Sequence, residues 1–362
     1  MRVLLVTGSY PPMRCGIGDY SLRLAEALVA SGVKVGVLTS VLDEKIQETK
    51  GVEVFSVIKA WRLKELPMAI KIIRSWAADI VHIQHPTQGY SDGFLPWVLP
   101  LVSFLMKKKV VQTWHEAYGR SKVFKLFLKS VVPSSLIFVR SNYRDCLHPA
   151  LRWSLWGKKT EYIPSASCIP CVRLDDLRRM ELKKHYLKDQ KRLIVFFGFI
   201  YPHKGVELLF EIADPTLDQI IIAGVIDRKE KDYLARINEL ASSPSWKGKV
   251  TITDFLPAQD IADLLAITDA VVLPFRTGGG DWNTSIHAAV LNGVFVVTTS
   301  SIRKGYDEKR NIYFAKINDI KQMRSALSTY AGRRRKYDPD IDKDEWLSVA
   351  DMHRALYERI LS

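Results

Sequence analysis

The stretch Thr268 to Ser300, TDAVVLPFRTGGGDWNTSIHAAVLNGVFVVTTS, constrains the fold more than any other part of the chain. Ala270 to Leu273, closed by Pro274, and Gly293 to Thr299 are short apolar, β-branched runs of the kind that form strands buried on both faces. Between them stand Gly278, Gly279 and Gly280, followed by Trp282 to Asn292 with helical spacing and a stop at Gly293. A strand, loop, helix, strand unit of this kind calls for a parallel sheet. Three glycines let the backbone come close to a ligand with its N–H groups turned outward, and the N-terminus of the next helix carries partial positive charge. The turn therefore suits a phosphate. An ordinary tight connection in an α/β domain would use the same residues.

The rest of the chain repeats this alternation. Strands are expected at Arg2 to Thr7, Val33 to Leu38, Val52 to Val57, Ile80 to Gln84, Val110 to Trp114 and Leu136 to Val139, with helices from Gly18 to Gly32, Pro67 to Ala78, Asp92 to Met106 and Lys122 to Val132. A second series begins at Leu193 to Gly198 and continues through a helix at Gly205 to Ala213, a strand at Gln219 to Gly224, a helix at Lys229 to Ala241, a strand at Lys249 to Thr253 and a helix at Ala258 to Ile267. After the glycine stretch come a strand at Asn311 to Ala315 and helices at Asp319 to Ala331 and Trp346 to Leu361. The pattern predicts an α/β chain of two facing, doubly wound Rossmann-like domains, 1–170 and 171–343, with a final helix at 344–362 packing back across the junction. Between the two series, Trp153 to Lys184 has poor periodicity and holds Pro164, Pro170 and the pair Cys168 and Cys171, which reads as a proline-stiffened linker.

A chain of 362 residues suits two cores rather than one. No apolar run approaches the ~18 to 20 residues of a membrane span, the opening MRVLLVTGSYPP lacks a signal-peptide pattern, and four cysteines form no disulfide framework, so the expectation is a cytoplasmic protein. Up to residue 170, 23 Lys plus Arg stand against 12 Asp plus Glu, a balance of +11 out of the chain's +14. Nucleic acid is a poor partner for this charge because no helix-turn-helix, zinc or RNP pattern accompanies it. SKVFKLFLKSVV instead places Lys122, Lys125 and Lys129 at helical spacing, with Lys107, Lys108 and Lys109 ahead of it, which fits either peripheral attachment to an anionic membrane's inner face or a core-facing helix with a solvated basic face.

Candidate site residues follow from strand ends. HIQHPTQGY puts His82 and His85 at one strand end, and TWHEAYGR puts His115 and Glu116 at another, where an open α/β sheet gathers its ligands. A nicotinamide or flavin turn is not expected, since Gly16-Ile17-Gly18 lacks the third glycine. The acidic run Asp338 to Asp342 lies between helices beside Arg333, Arg334 and Arg335, and reads as a solvated charged loop rather than a metal site.

VLLVTGSYPPMRCGIGDYSLRLAEAL, TWHE, GFIYPHKGVELL and PFRTGGGDWNTSIHAAVLNGVFVVTT together resemble the retaining glycosyltransferases of the GT-B fold, in the group-1 class and its glycine-rich FRxGG branch. The resemblance covers nearly the whole chain. It implies a nucleotide-diphosphate-sugar donor on the second domain, a glycan or lipid-linked acceptor on the first, and no cofactor or obligatory metal. Lys204 matches a Lys that neutralises the diphosphate, but Phe199 stands where an Arg is usual. Gly280 and Ala288 replace two customary glutamates. Gly16 and Gly18 match a loop approaching the donor phosphate, His115 a His near the sugar, and His85 with Glu116 fall on the acceptor side. Arg276 is the candidate second cation, Gly278 to Gly280 with Asn283, Thr284 and Ser285 the phosphate turn, and Asp281 the sugar-contacting carboxylate. The missing glutamates also fit a non-catalytic GT-B protein that partners another transferase.

Overall fold

A computed structural model describes residues 1–42, 49–116, 123–187, 189–225, 230–280, 282–342 and 344–362. The chain forms two compact units, one of Met1–Ala166 with Asp344–Ser362 and one of Ser167–Lys343. In the first, β1 (Arg2–Val6), β2 (Lys34–Ser40), β3 (Val52–Ile58), β4 (Ile80–His85), β5 (Lys109–Trp114), β6 (Ser135–Phe138) and β7 (Thr160–Tyr162) pair in the order β3-β2-β1-β4-β5-β6-β7, every pair parallel. Between them run α1 (Gly16–Ala30), α2 (Leu66–Ser75), α3 (Leu95–Leu105), α4 (Val123–Val131), α5 (Tyr143–Cys146) and α6 (Pro149–Ser154).

The second unit opens with α7 (Asp176–Lys184). It continues with β8 (Arg192–Phe197), α8 (Leu209–Ile212), β9 (Asp218–Ala223), α9 (Lys231–Ser242), β10 (Val250–Thr253), α10 (Ala258–Ile267), β11 (Ala270–Leu273), α11 (Thr284–Leu291), β12 (Phe295–Thr299), β13 (Gly305–Asp307), β14 (Ile312–Ala315) and α12 (Ile320–Tyr330). Its sheet order is β10-β9-β8-β11-β12-β14-β13, with only the β13–β14 pair antiparallel. Both sheets are Rossmann-like. Each begins at a central strand, winds outward on one side, then returns to that strand's other flank, so the order reverses between β1 and β4 and again between β8 and β11. Ligand crevices of open α/β sheets form at such reversals.

The last helix, α13 (Glu345–Leu361), packs on α1 and completes the first unit. Its Val349, Ala350, Leu356 and Tyr357 join Leu24 and Leu28 of α1 over Val3, Leu5 and Val35 of the sheet. Full burial of Val349 and Leu356 stabilises by roughly 1.5–3 kcal/mol each. A separate cluster on the opposite sheet face holds Trp61, Ile73 and Trp76, so strands exposed to neither face carry the unbroken apolar runs seen in the sequence.

Four expectations change. The helix foreseen at Gly205 to Ala213 is two 3-10 turns, Pro202–Lys204 and Val206–Leu208, ahead of the short α8. Gly205 breaks it, with φ of 68° and a backbone so close to the carbonyl of Pro274 that a Cβ would lie 2.4 Å from that oxygen. Strands β7 and β13, three residues each, were not anticipated because so short a run carries no periodicity. The supposed linker from Trp153 to Lys184 contains the end of α6, then β7 and α7. The Asp338 to Asp342 run is a loop with Pro339 and Asp340 exposed, as expected, but its last carboxylate is not solvated: the Asp342 side chain is shielded and paired to Arg335 and, at 2.7 Å, to Arg173. Arg334 donates to the carbonyls of Leu265, Ala266, Thr268 and Asn292, satisfying helix ends. The basic run is thus a clamp.

Candidate functional site

In the first unit, the loops after β1 and β4 meet at the order reversal. A Cβ on Gly89 would lie 1.7 Å from the carbonyl oxygen of Gly8, so the two backbones touch. Gly8 N donates to Thr87 Oγ1 at 2.9 Å and Gly89 N to Ser9 Oγ at 2.8 Å. Gly18, buried in the first turn of α1, packs against Ser9 and Tyr10, where a Cβ would come within 3.2 Å of Ser9, while Gly16 is exposed at the helix start.

The strand pleat separates the candidate histidines. His82 lies inside β4 rather than at its end, fully buried, with Nδ1 2.6 Å from Tyr357 Oη and Nε2 2.7 Å from Thr113 Oγ1. His85 ends β4 on the other face, enclosed by Tyr90, stacked at 6.0 Å, and by Trp97, edge-on at 4.6 Å. His115 follows β5 on the face of His82, with the ring of Tyr20 edge-on at 4.7 Å. The expected convergence of His85 with His115 does not occur.

A residue the sequence reading passed over, Gln84, joins His115 to His82. Gln84 Oε1 is 2.8 Å from His115 Nε2, and Gln84 Nε2 is 3.2 Å from His82 Nε2. An amide oxygen only accepts, so His115 Nε2 carries the proton and its Nδ1 is left as an acceptor. Burial, with His353 close by, holds the His115 imidazole well below the usual histidine range, and burial does the same to His82 and His353. All three are neutral at pH 7. Gln84→Glu should set a carboxylate against His115 and raise its pKa by roughly 1–3 units; a His115 ring titration by NMR identical to wild type would disprove the contact. The signal in the sequence was the HIQH alternation, which puts Gln84 on the face of His82.

Beside His115, the carboxyl ends of β5 and β6 form a pocket lined by Trp114, His115, Glu116, Phe138, Arg140 and Tyr143. Arg140 was missed, although its place two residues beyond β6 follows the same strand-end logic as His115.

In the second unit, segments after the adjacent strands β8 and β11 come together. Arg276 N donates to the carbonyl of His203 at 2.9 Å, which ties the PHKG turn to PFRTGGG. Lys204 Nζ sits 4.5 Å above the centre of the Phe275 ring. Ser285, in the first turn of α11, reaches the end of β8, its Oγ 3.4 Å from where a Cβ on Gly198 would stand. Phe199, Tyr201 and His203 stack in a ladder with centroid spacings of 6.3 and 5.5 Å, so an aromatic surface occupies the place where the resemblance leads one to expect an Arg. Burial, then the Lys204 charge, lowers the His203 pKa and leaves Lys204 as the cation of this turn.

Two expected roles change here. The glycine turn does not aim its N–H groups outward: Gly278 N donates to the carbonyl of Phe275 at 3.1 Å, Gly279 N to that of Thr299 at 2.7 Å, and Gly280 N to Asn283 Oδ1 at 2.9 Å. These glycines serve fit, Gly278 by a φ of 81° and Gly279 by closeness to Thr298, Ile286 and Phe275. Because the Asn283 amide is engaged with Gly280, it gives no side-chain cap to α11, whose first turn holds Thr284 and Ser285. Arg276 is bound through Nε and Nη2 to the buried carboxylate of Glu207, which Tyr233 also contacts, and through Nη1 to Asn318 at 3.3 Å. Its charge is neutralised within the unit. Glu207 and Tyr233 were missed, although an acid inside the apolar run VELLF is a signal. Asp281 lies outside the described residues.

Residues 15–149 match the family model "Glycosyltransferase Family 4" and residues 191–331 match "Glycosyl transferases group 1". A GDP-mannose-dependent alpha-(1-6)-phosphatidylinositol monomannoside mannosyltransferase of Mycobacterium tuberculosis is 21% identical over 308 residues, 77% of this chain and 74% of that protein. Sucrose-phosphate synthase from Thermosynechococcus elongatus superposes with a TM-score of 0.72 at 15% identity, covering 99% of both chains. Anabaena Alr3699/HepE, solved with UDP and glucose, gives 0.68 at 15% identity over 99% of this chain and 95% of that one.

Proposed function

Because the chain is a glycosyltransferase of the GT-B fold, we propose that it is a retaining, metal-independent enzyme moving a sugar from a nucleotide-diphosphate donor to a glycan or lipid-linked glycan of the cell envelope. The observation that carries this reading is the gathering of segments across the adjacent strands β8 and β11 at the order reversal: the PHKG turn is tied to PFRTGGG through Arg276 N and the His203 carbonyl, Lys204 lies over the Phe275 ring, and Ser285 in the first turn of α11, a helix that Asn283 does not cap with its side chain, reaches Gly198. When a nucleoside diphosphate leaves, negative charge gathers on its distal phosphate. Lys204 and the first-turn N–H and hydroxyl groups of Thr284 and Ser285 offer a cation, a helix dipole and donors for that charge. Arg276 acts one step back, through the Glu207 carboxylate that anchors the segment bearing Lys204. The mechanism follows the resemblance: front-face displacement, with the leaving phosphate taking the acceptor proton. His115, neutral and with Nδ1 free of the Gln84 contact, serves as an acceptor for a sugar hydroxyl, and Gly16, at the exposed start of α1, as the loop that meets the donor phosphate. Glu116 and Arg140 line the acceptor side. The four cysteines, with no disulfide among the described residues, suit a reducing cytoplasm.

Asp281 is assigned to the transferred sugar. Asp281→Asn should leave the melting temperature within a degree or two and cut turnover about tenfold or more, since a carboxylate accepts from sugar hydroxyls better than an amide oxygen does; undiminished transfer from the matched donor would remove Asp281 from the site. Nucleotide release from a panel of nucleotide sugars, with and without membrane extracts, tests the whole reading. A second reading, a non-catalytic GT-B protein partnering another transferase, is favoured by the internally engaged N–H groups of Gly278, Gly279 and Gly280. No release from any donor would bring it forward.

A further inference from the structure

Helices α3, α4 and α6 lie side by side on the flank of the first sheet. Lys125 and Lys129 of α4 stand 5.7 and 5.3 Å from the centre of the Trp97 ring of α3, and Ser130 Oγ of α4 donates to Ser154 Oγ of α6 at 2.7 Å. Each helix leads into the start of β5, β6 or β7, three adjacent parallel strands, so their C-terminal ends gather at one edge of the sheet. There the outward side is apolar: Phe104 and Leu105 of α3, Leu128 and Val131 of α4, Trp153 of α6 and Trp156 just beyond it all stand in solvent. Trp153 is 70% exposed and Trp156 86%. One such residue is ordinary; six on or just beyond three neighbouring helices mark a surface that contacts something.

The charge on this face says what. Residues 93–160 hold twelve Lys and Arg against two acids, Glu116 and Asp145; Lys129 is buried and Arg140 lies at the carboxyl ends of the strands, but others of these cations stand on this flank. Lys107, Lys109, Lys125, Arg152 and Lys159 are exposed among or beside the apolar side chains. A second copy of the chain, in a two-fold contact, would set this positive face against itself. A nucleic acid would meet the cations and stack on the tryptophans, but offers nothing to Leu105, Leu128 and Val131. We propose that this face docks on an anionic lipid surface, with Trp153 and Trp156 entering the boundary between headgroups and acyl chains and the bases meeting lipid phosphates. The surface differs from the one the sequence suggested: Lys129 is fully buried, Lys122 lies outside the described residues, and α6 supplies the deepest anchors.

The test uses the full chain and vesicles of phosphatidylcholine alone or mixed with phosphatidylglycerol. Wild type should sediment with the anionic vesicles at low salt, shift its tryptophan emission to the blue, and be released by high salt. The Trp153→Ser, Trp156→Ser double variant should partition at least about tenfold less, with its circular dichroism and melting temperature unchanged. Equal sedimentation with neutral and anionic vesicles overturns the proposal, as does a double variant that binds like wild type. It also falls if a single-stranded oligonucleotide produces the full emission shift, or if the wild type is a dimer that the double variant dissolves. Sugar transfer is read separately, so a protein that sediments but releases no nucleotide keeps this inference and loses the functional one.

Discussion

Replacing Lys204 with alanine should lower turnover by roughly 10²-fold or more, with little change in melting temperature. The lysine ends a 3-10 turn closed by Gly205 in the left-handed region, so its backbone is fixed, while its ammonium rests over the Phe275 ring at 4.5 Å. A cation held there is close to the ends of β8 and β11 before any donor arrives. Preorganised charge of this kind acts on charge that develops in the transition state and needs no rearrangement at the moment of reaction. A lysine present only for its contact with Phe275 would behave differently, because that contact contributes about 0.5–1 kcal/mol at a half-exposed position and none of it bears on kcat. Lys204→Arg separates the readings further: charge is kept but its placement shifts, so kcat should recover in part. The measurement is kcat with the matched donor beside a thermal melt. Wild-type turnover in Lys204→Ala would remove the lysine from the site and with it the observation on which the donor assignment rests.

The α/β alternation was legible because buried parallel strands are continuous β-branched runs; Ala270 to Leu273 and Ala258 to Ile267 were located to the residue. What hydrogen bonds do was not legible. A glycine triplet looks the same whether its N–H groups face a phosphate or, as at Gly278 to Gly280, the carbonyls of Phe275 and Thr299 and the amide of Asn283. The ion pair of Arg276 with Glu207 joins positions far apart in sequence, and no local pattern couples them. Face is the other hidden quantity. His85 and His115 both end strands, but the pleat sends one toward Trp97 and the other toward Tyr20, a difference set by register, which spacing alone does not reveal.

The same limit explains Lys129, which helical spacing placed with Lys122 and Lys125 on a solvated stripe. In the fold it is fully buried between α3 and the sheet; its backbone carbonyl accepts from Gln112, and among the described residues its ammonium has no hydrogen-bond partner, only the Trp97 ring at 5.3 Å. Burial pushes its pKa down to about 7. The unfolded chain, with an ordinary lysine, therefore binds more protons than the folded one between about pH 7 and pH 10.5. Stability must rise with pH across that window, and below it the full cost of the buried charge remains. Lys129→Met keeps the length of the side chain and removes the charge, so at pH 7 and below it should stabilise the protein by about 2–4 kcal/mol, with no gain above pH 10.5. Denaturant midpoints of the first-unit transition between pH 6 and pH 10 supply the check. Wild type should show the upward slope and Lys129→Met should lack it. A methionine variant less stable than wild type at pH 6, or one with an undiminished slope, would mean that the ammonium has a partner strong enough to offset its burial, and the lysine would then be a structural ion rather than a stranded one.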